Sequence, residues 1–84
     1  MANGVIRYWA AARAAAGVAE EPYAAATLAE ALQNACRARD SEFGRVLVRS
    51  SFLLDGRQVG NRPHDSVQLT ENGVLEVLPP FAGG

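Results

Sequence analysis

The sequence predicts a small α+β domain, and three observations carry that reading. Short runs of strand composition recur along the chain, two of them joined by the hairpin dipeptide Asp55-Gly56 and another preceded by Asn72-Gly73. One stretch, beginning at Thr27, combines a capping box with a sustained helical period. The 84 residues suit a single domain, 1–84, with a modest core and neither disulfide nor metal.

The first strand is expected over Val5 to Ala10, with Ile6, Tyr8 and Ala10 on one face and Val5, Arg7 and Trp9 on the other. An unpaired arginine is not buried, so the Arg7 face is the solvent face and Trp9 stands outside. Ala10 to Ala16 has strong helix composition and stops at Gly17, a C′ glycine. Val18 to Ala24 contains Pro22 and can pair only as an edge strand. In Thr27-Leu28-Ala29-Glu30 the Thr27 hydroxyl can accept from the Glu30 amide while the Glu30 side chain reaches back. The main helix starts there and is expected to end near Asp40-Ser41, with Leu28, Ala31, Leu32, Ala35 and Cys36 as its core stripe. On that stripe Cys36 reads as a small buried hydrophobe rather than a nucleophile.

Phe43, Val46 and Leu47 keep helical spacing and suggest a short second helix, although Val46-Leu47-Val48 could equally start a strand. Ser51 to Leu54 and Arg57 to Val59 form the hairpin, Gly60 to Asp65 is loop, and Val67 to Leu69 is a short extended piece. Val74 to Leu78 is the last strand, with Leu75 and Val77 on one face and Val74, Glu76 and Leu78 on the other. If the first and last strands are neighbours, Arg7 and Glu76 share the solvent face and can pair, for up to about 1 kcal/mol. Trp9 and Leu78 then form an exposed apolar patch; the alternative is a loop lying over them.

Several function classes are excluded by composition. Net charge is −1 and the arginines are scattered, which argues against a nucleic-acid surface. A basic leader is not seen at the start, and Arg7 and Arg13 interrupt the apolar stretch, so neither a signal peptide nor a membrane span is expected. Cys36 has no partner for an internal bridge, and with His64 it makes no zinc ligand set, so no metal site is expected and a reducing, cytoplasmic setting fits. All eight basic residues are arginine, so no lysine nucleophile, Schiff base or internal isopeptide acceptor is available. His64-Asp65-Ser66 contains the residue types of a hydrolytic triad, but neighbours in sequence cannot line up nucleophile, base and orienter, and the segment reads as a polar turn.

The distinctive chemical handle is the segment Pro79-Pro80-Phe81-Ala82-Gly83-Gly84. Two prolines hold the chain extended as it leaves the last strand, and two glycines suit a passage too narrow for any Cβ. Residues 79–84 are therefore expected to form a flexible tail whose reactive group is the Gly84 carboxylate; a frayed end is the plain alternative.

The opening Ile6-Arg7-Tyr8-Trp9-Ala10-Ala11-Ala12-Arg13 with Gly17, the capped helix, and the close Val77-Leu78-Pro79-Pro80-Phe81-Ala82-Gly83-Gly84 together resemble the small, sulfur-carrying subunit of molybdopterin synthase, in the MoaD/ThiS family of ubiquitin-like proteins. The resemblance spans essentially the whole chain. It departs from the family where the turn before the last strand reads Glu71-Asn72-Gly73-Val74 and the earlier one Asp55-Gly56, substitutions that still serve turns. It implies a β-grasp fold, a mixed sheet of four to five strands packed on one main helix, with the first and last strands parallel at its centre. It implies that an adenylating enzyme of the ubiquitin-activating type uses ATP to activate Gly84, that sulfur then gives a thiocarboxylate, and that the large synthase subunit receives the tail and passes the sulfur to a pterin precursor. No cofactor is then bound by this chain, which is no enzyme on its own. Gly83, Ala82, Phe81 and Pro80 would thread the partner's channel, and Trp9 and Leu78, with Phe81, would dock on it. Related readings are a sulfur carrier for thiamine or cysteine formation, or a ubiquitin-like binding module whose tail is never loaded.

Overall fold

The computed structural model describes residues 1–80. In chain order the elements are β1 (Ala2–Tyr8), α1 (Ala10–Ala16), β2 (Glu20–Ala25), α2 (Leu28–Arg37), α3 (Ser41–Arg49), β3 (Ser51–Leu54), β4 (Arg57–Gln58), a 3₁₀ turn (His64–Ser66) and β5 (Val74–Leu78). The five strands form one sheet in the order β2-β1-β5-β3-β4. At its centre β1 and β5 run parallel, with Ile6 opposite Leu75 and Tyr8 opposite Val77; the other pairings are antiparallel. This is the mixed β-grasp sheet expected above.

Alternation along the strands sorts the side chains. Ile6, Tyr8, Tyr23, Ala25, Phe52, Leu75 and Val77 are buried on one face, where α2 contributes Leu28, Ala31, Leu32 and Ala35 and α3 contributes Phe43 and Leu47. Period 2 on the strands and period 3.6 on the helices thus converge on a single apolar layer. Phe43, fully buried, meets the Tyr8 ring edge-on at 5.6 Å between centroids, a favoured aromatic geometry. One half of the capping box forms as expected, the Glu30 amide donating to the Thr27 hydroxyl; the other half differs, the Glu30 carboxylate accepting from the Ala26 amide, one residue before the expected Thr27 amide.

Some boundaries differ from the expectations. β1 ends at Tyr8, and Ala10 is exposed at the start of α1 with φ 49° rather than on the inner face of the strand. The reason is that the Trp9 carbonyl accepts from the Ala12 and Arg13 amides, which turns the chain into α1 one residue after Trp9. The edge strand begins at Glu20 rather than Val18 because the left-handed Gly17 (φ 81°) needs two further residues before pairing resumes. α2 stops at Arg37, short of Asp40, and Asp40 instead caps α3 by accepting from the Phe43 amide at 3.3 Å. Val46, Leu47 and Val48 are helical, so the helix reading prevails over the strand reading. Val67 to Leu69 joins no strand ladder; a single bridge, Thr27 to Gln68, holds it under the start of α2. Asp55 (φ 52°) and Gly56 (φ 83°) both take left-handed conformations, as the tight hairpin turn requires.

Candidate functional site

The terminal segment leaves from the middle of the sheet. β5 lies between β1 and β3, Leu78 is opposite Ser51, Pro79 is buried and Pro80 is exposed. A central strand is held by hydrogen bonds on both edges, so the point of departure is fixed relative to the whole core. Phe81, Ala82, Gly83 and Gly84 lie outside the described residues, and with them the expected threading segment and the Gly84 carboxylate.

Trp9 stands beside this exit. Its amide donates to the Val77 carbonyl at 3.2 Å, extending the parallel β1–β5 pairing by one residue. Its ring is 47 % exposed, and its indole Nε1 donates to Glu76 Oε1 at 3.1 Å. Leu78, two residues after Glu76 on the same face of β5, is half-buried. Trp9 and Leu78 therefore share the helix-free face of the sheet next to the exit, and no loop among the described residues roofs the exposed indole.

The expected Arg7–Glu76 pair does not form. The two residues are register partners, but the Arg7 guanidinium turns to Glu20 across the antiparallel β1–β2 pair at 3.3 Å. Glu76 is left to the indole. Glu20 is also a register partner of Arg7, on the other side of β1, so the guanidinium and the indole go to different carboxylates, one on each neighbouring strand. Both Arg7 and Glu20 are about half exposed, so the pair contributes little stability.

Beneath the sheet lies a polar cluster not anticipated from sequence. Arg39 NH1 meets Glu21 Oε2 at 2.8 Å and donates to the Ala35 carbonyl at 2.8 Å, while Arg39 Nε donates to the Ala16 carbonyl at 3.1 Å. The guanidinium lies 4.8 Å from the Phe43 centroid and 5.6 Å from that of Tyr8, within cation–π range. The Tyr8 hydroxyl donates to the same Glu21 carboxylate. Burial, and then the hydrogen bond to Glu21, push the Tyr8 phenol well above its ordinary value, so it stays neutral. Burial opposes the Arg39 charge, but Glu21 more than offsets it. The group ties together the ends of α1 and α2, strand β2 and helix α3. The signal available in sequence was Arg39 falling on the period of the apolar stripe.

A second cluster braces the opposite end of β5. The Asp55 carboxylate accepts from the Thr70 hydroxyl at 2.6 Å and from the Val74 amide at 2.9 Å, and these bonds hold its pKa below the usual carboxylate range. The Tyr23 hydroxyl donates to the Thr70 carbonyl. A Cβ on Gly73 would sit 2.0 Å from Thr70 Oγ1, so only glycine fits there.

None of these groups forms a hydrolytic or metal centre. His64, Asp65 and Ser66 make a 3₁₀ turn in which the Ser66 hydroxyl donates to the Pro63 carbonyl and His64 packs edge-on against Phe52. No cluster of metal-ligating side chains occurs among the described residues, and none of their helices is long and apolar enough to cross a membrane. Cys36, half-buried on α2, faces a groove between α2 and α3.

Comparison with solved structures agrees with this architecture. The small archaeal modifier protein 1 of Methanosarcina acetivorans superposes with a TM-score of 0.83 at 18 % identity, covering 100 % of this chain and 98 % of that one. A Pyrococcus furiosus protein described as molybdopterin converting factor subunit 1 gives 0.76 at 21 % identity, covering 96 % and 100 %. A chain of the Helicobacter pylori complex of subunits 1 and 2 of molybdopterin-converting factor gives 0.68 at 17 % identity, covering 98 % and 99 %. At these identities the likeness establishes the ubiquitin-like β-grasp fold, and the neighbours include the kind of small subunit that the two ends of the sequence resemble. No family model matches the chain, and no curated relative does.

Proposed function

We propose that the protein is a ubiquitin-like sulfur carrier that delivers sulfur from Gly84 in molybdopterin formation. The observation that carries the reading is the placement of β5: a central strand, paired on both sides, brings the chain to the exposed Pro80 beside an exposed indole, just before the segment that ends in Gly83-Gly84 in the sequence. The two molybdopterin converting factor neighbours support the same assignment.

The chemistry follows from the carboxylate. At neutral pH it is ionised, with an ordinary pKa of about 3.5, and does not acylate anything unaided. An adenylating enzyme of the ubiquitin-activating type joins it to the α-phosphate of ATP and releases pyrophosphate. A sulfur nucleophile then attacks the acyl carbon, AMP leaves, and a thiocarboxylate remains on Gly84. The large synthase subunit admits the tail, and transfer of the sulfur to a pterin precursor, with the oxygen of a water taking its place on the acyl carbon, returns the carboxylate; two loaded carriers serve one dithiolene. Gly83, Ala82, Phe81 and Pro80 thread the channel, while Trp9 and Leu78 form the apolar pad on which the partner rests. This chain binds no cofactor, supplies no catalytic side chain, and acts in the cytoplasm.

A second reading is favoured by the small archaeal modifier neighbour: the same acyl-adenylate is attacked by an amine of another protein, and the chain becomes a covalent modifier. Incubation with the adenylating enzyme, ATP and a sulfur donor, followed by intact-mass measurement, separates the two. Replacement of one oxygen by sulfur at Gly84, and pterin product with the large subunit, are expected. Loading without pterin product, together with adducts on other proteins, would assign the modifier role. A chain extended by one residue beyond Gly84 should fold normally and fail to load; sulfur transfer by that chain would refute the proposal.

A further inference from the structure

Among the described residues a positive φ occurs at Ala10, Gly17, Asp55, Gly56, Gly60 and Asn72. At each of these positions except the first, the chain carries glycine, aspartate or asparagine, the residues that visit a left-handed backbone most readily. Ala10, at φ 49°, has a Cβ and no side-chain oxygen to offset its crowding against the backbone. A residue in this position is held there by its surroundings and marks stored strain. The surroundings are identifiable. Tyr8 on one side and Ala12 on the other are buried in the core, so the chain has only Trp9, Ala10 and Ala11, all exposed, with which to leave β1 and enter α1. Within that span Trp9 is held three ways. Its amide donates to the Val77 carbonyl at 3.2 Å, and its carbonyl accepts from the Ala12 and Arg13 amides at 2.9 and 3.3 Å. Its indole Nε1 donates to Glu76 Oε1 at 3.1 Å. Meeting all of these at once forces the sharp turn onto Ala10.

We infer that the junction Trp9-Ala10-Ala11 is a strained latch with two states, and that Ala10 is a positioning residue acting through Trp9. In the closed state Trp9 is bonded to β5 and to α1, and the indole lies over Glu76. In the open state, a minor one, Ala10 relaxes to negative φ, the Trp9 amide and carbonyl give up Val77 and α1, and the indole leaves Glu76. Tyr8 and Ala12 stay in place because both are buried, so the opening is confined to three residues and the core takes no part. The indole bond that is given up lies at an exposed position, where water replaces it. The strain at Ala10 belongs to the closed state alone and therefore shifts the balance towards the open one. The exit of β5 thus has two surfaces to present: an indole joined to a carboxylate, or a free Glu76 carboxylate beside a released ring. The latch is made of this chain's own residues and holds whichever partner meets the exit.

Changing the residue at position 10 tests the latch, because the strain fixes an order. Ala10→Gly removes the Cβ, so the closed state is no longer strained. D-alanine in place of Ala10 prefers the left-handed backbone and makes the relaxed one costly; it is introduced by ligating a synthetic segment 1–35 to Cys36. Ala10→Val puts a stiff β-branched side chain under the same strain and increases it. Hydrogen exchange of the Trp9 indole N–H and of the Trp9, Ala12 and Arg13 amides reads the opening. In the parent these groups should exchange about tenfold or more faster than the most protected amides of β1 and β5. Their exchange should slow from Ala10→Val through the parent and Ala10→Gly to the D-alanine chain, by about fivefold or more between parent and D-alanine. The D-alanine chain should also melt about 4–8 °C higher. If Ala10→Val fails to fold, the glycine and D-alanine chains still give the order. Trp9 groups as protected in the parent as the centre of the sheet would overturn the two-state latch. A D-alanine chain that melts no higher than the parent would overturn the strain. A higher melting point with unchanged exchange at Trp9 would show that the opening does not relax Ala10, and would overturn the inference as well.

Discussion

Replacing Arg39 by alanine tests the cluster that holds the helices to the sheet. Its side chain is 14 % exposed and Glu21's is 27 %, so the pair is largely but not wholly removed from water. The substitution leaves the Glu21 carboxylate with the Tyr8 hydroxyl as its remaining side-chain donor, and it deprives the Ala16 and Ala35 carbonyls of their Arg39 donors. It also removes the guanidinium stacked over Phe43. Breaking one side of a fully buried ion pair costs about 3–5 kcal/mol, and the residual exposure here lowers that to roughly 2–3 kcal/mol. Urea denaturation of the single and double variants measures it, with an Arg39/Glu21 coupling of about 1–2 kcal/mol expected from the double-mutant cycle. Arg39→Lys should recover only part, because one ammonium cannot reach Glu21, Ala16 and Ala35 together. A loss under about 0.5 kcal/mol, or strict additivity with Glu21→Gln, would show that the cluster is incidental to stability.

Other expectations concern the two ends of β5. Trp9→Ala should weaken binding to the large subunit by about 2 kcal/mol in calorimetry while costing under about 1 kcal/mol of stability, because the ring is half exposed; the opposite pattern would make Trp9 a structural residue. Glu76→Gln keeps an acceptor for the indole and should bind nearly as the parent does, whereas Glu76→Leu should not. Asp55 has its folded pKa depressed below the ordinary 3.8, so its contribution is present above that value and fades as pH falls through the lower folded value. Asp55→Asn, which tolerates the left-handed turn, should flatten the acid limb of the stability-pH curve below about pH 4; an unchanged limb would contradict the assignment. Gly73→Ala should destabilise by about 2–3 kcal/mol by forcing Thr70 away from Asp55, and a neutral result in thermal denaturation would show that the turn can shift.

By itself the sequence determined the local elements and the character of the end. The capping box at Thr27, the left-handed Gly17 and Asp55-Gly56, the apolar stripe on α2 and the alternation in Val74–Leu78 are all short-range signals, set by backbone sterics and by hydrogen bonds within a few residues. They set the face of Trp9 within its strand and of Leu78 within its own, the two being brought together by the parallel β1–β5 pairing, and the composition of Pro79 to Gly84 is a property of sequence alone. Boundaries shifted where adjacent local signals competed: Asp40 caps α3 instead of closing α2, and the Trp9 carbonyl draws Ala10 into α1. What only the tertiary structure decided is which distant groups meet. Arg7 had both Glu20 and Glu76 as register partners and took Glu20, while Glu76 accepts from the indole of Trp9. Arg39 reaches Glu21, Tyr8 and the end of α1 because the packing of two helices on the sheet brings them within 3–6 Å. Such choices depend on three-dimensional competition among donors and acceptors far apart in the chain, and local periodicity carries no record of it.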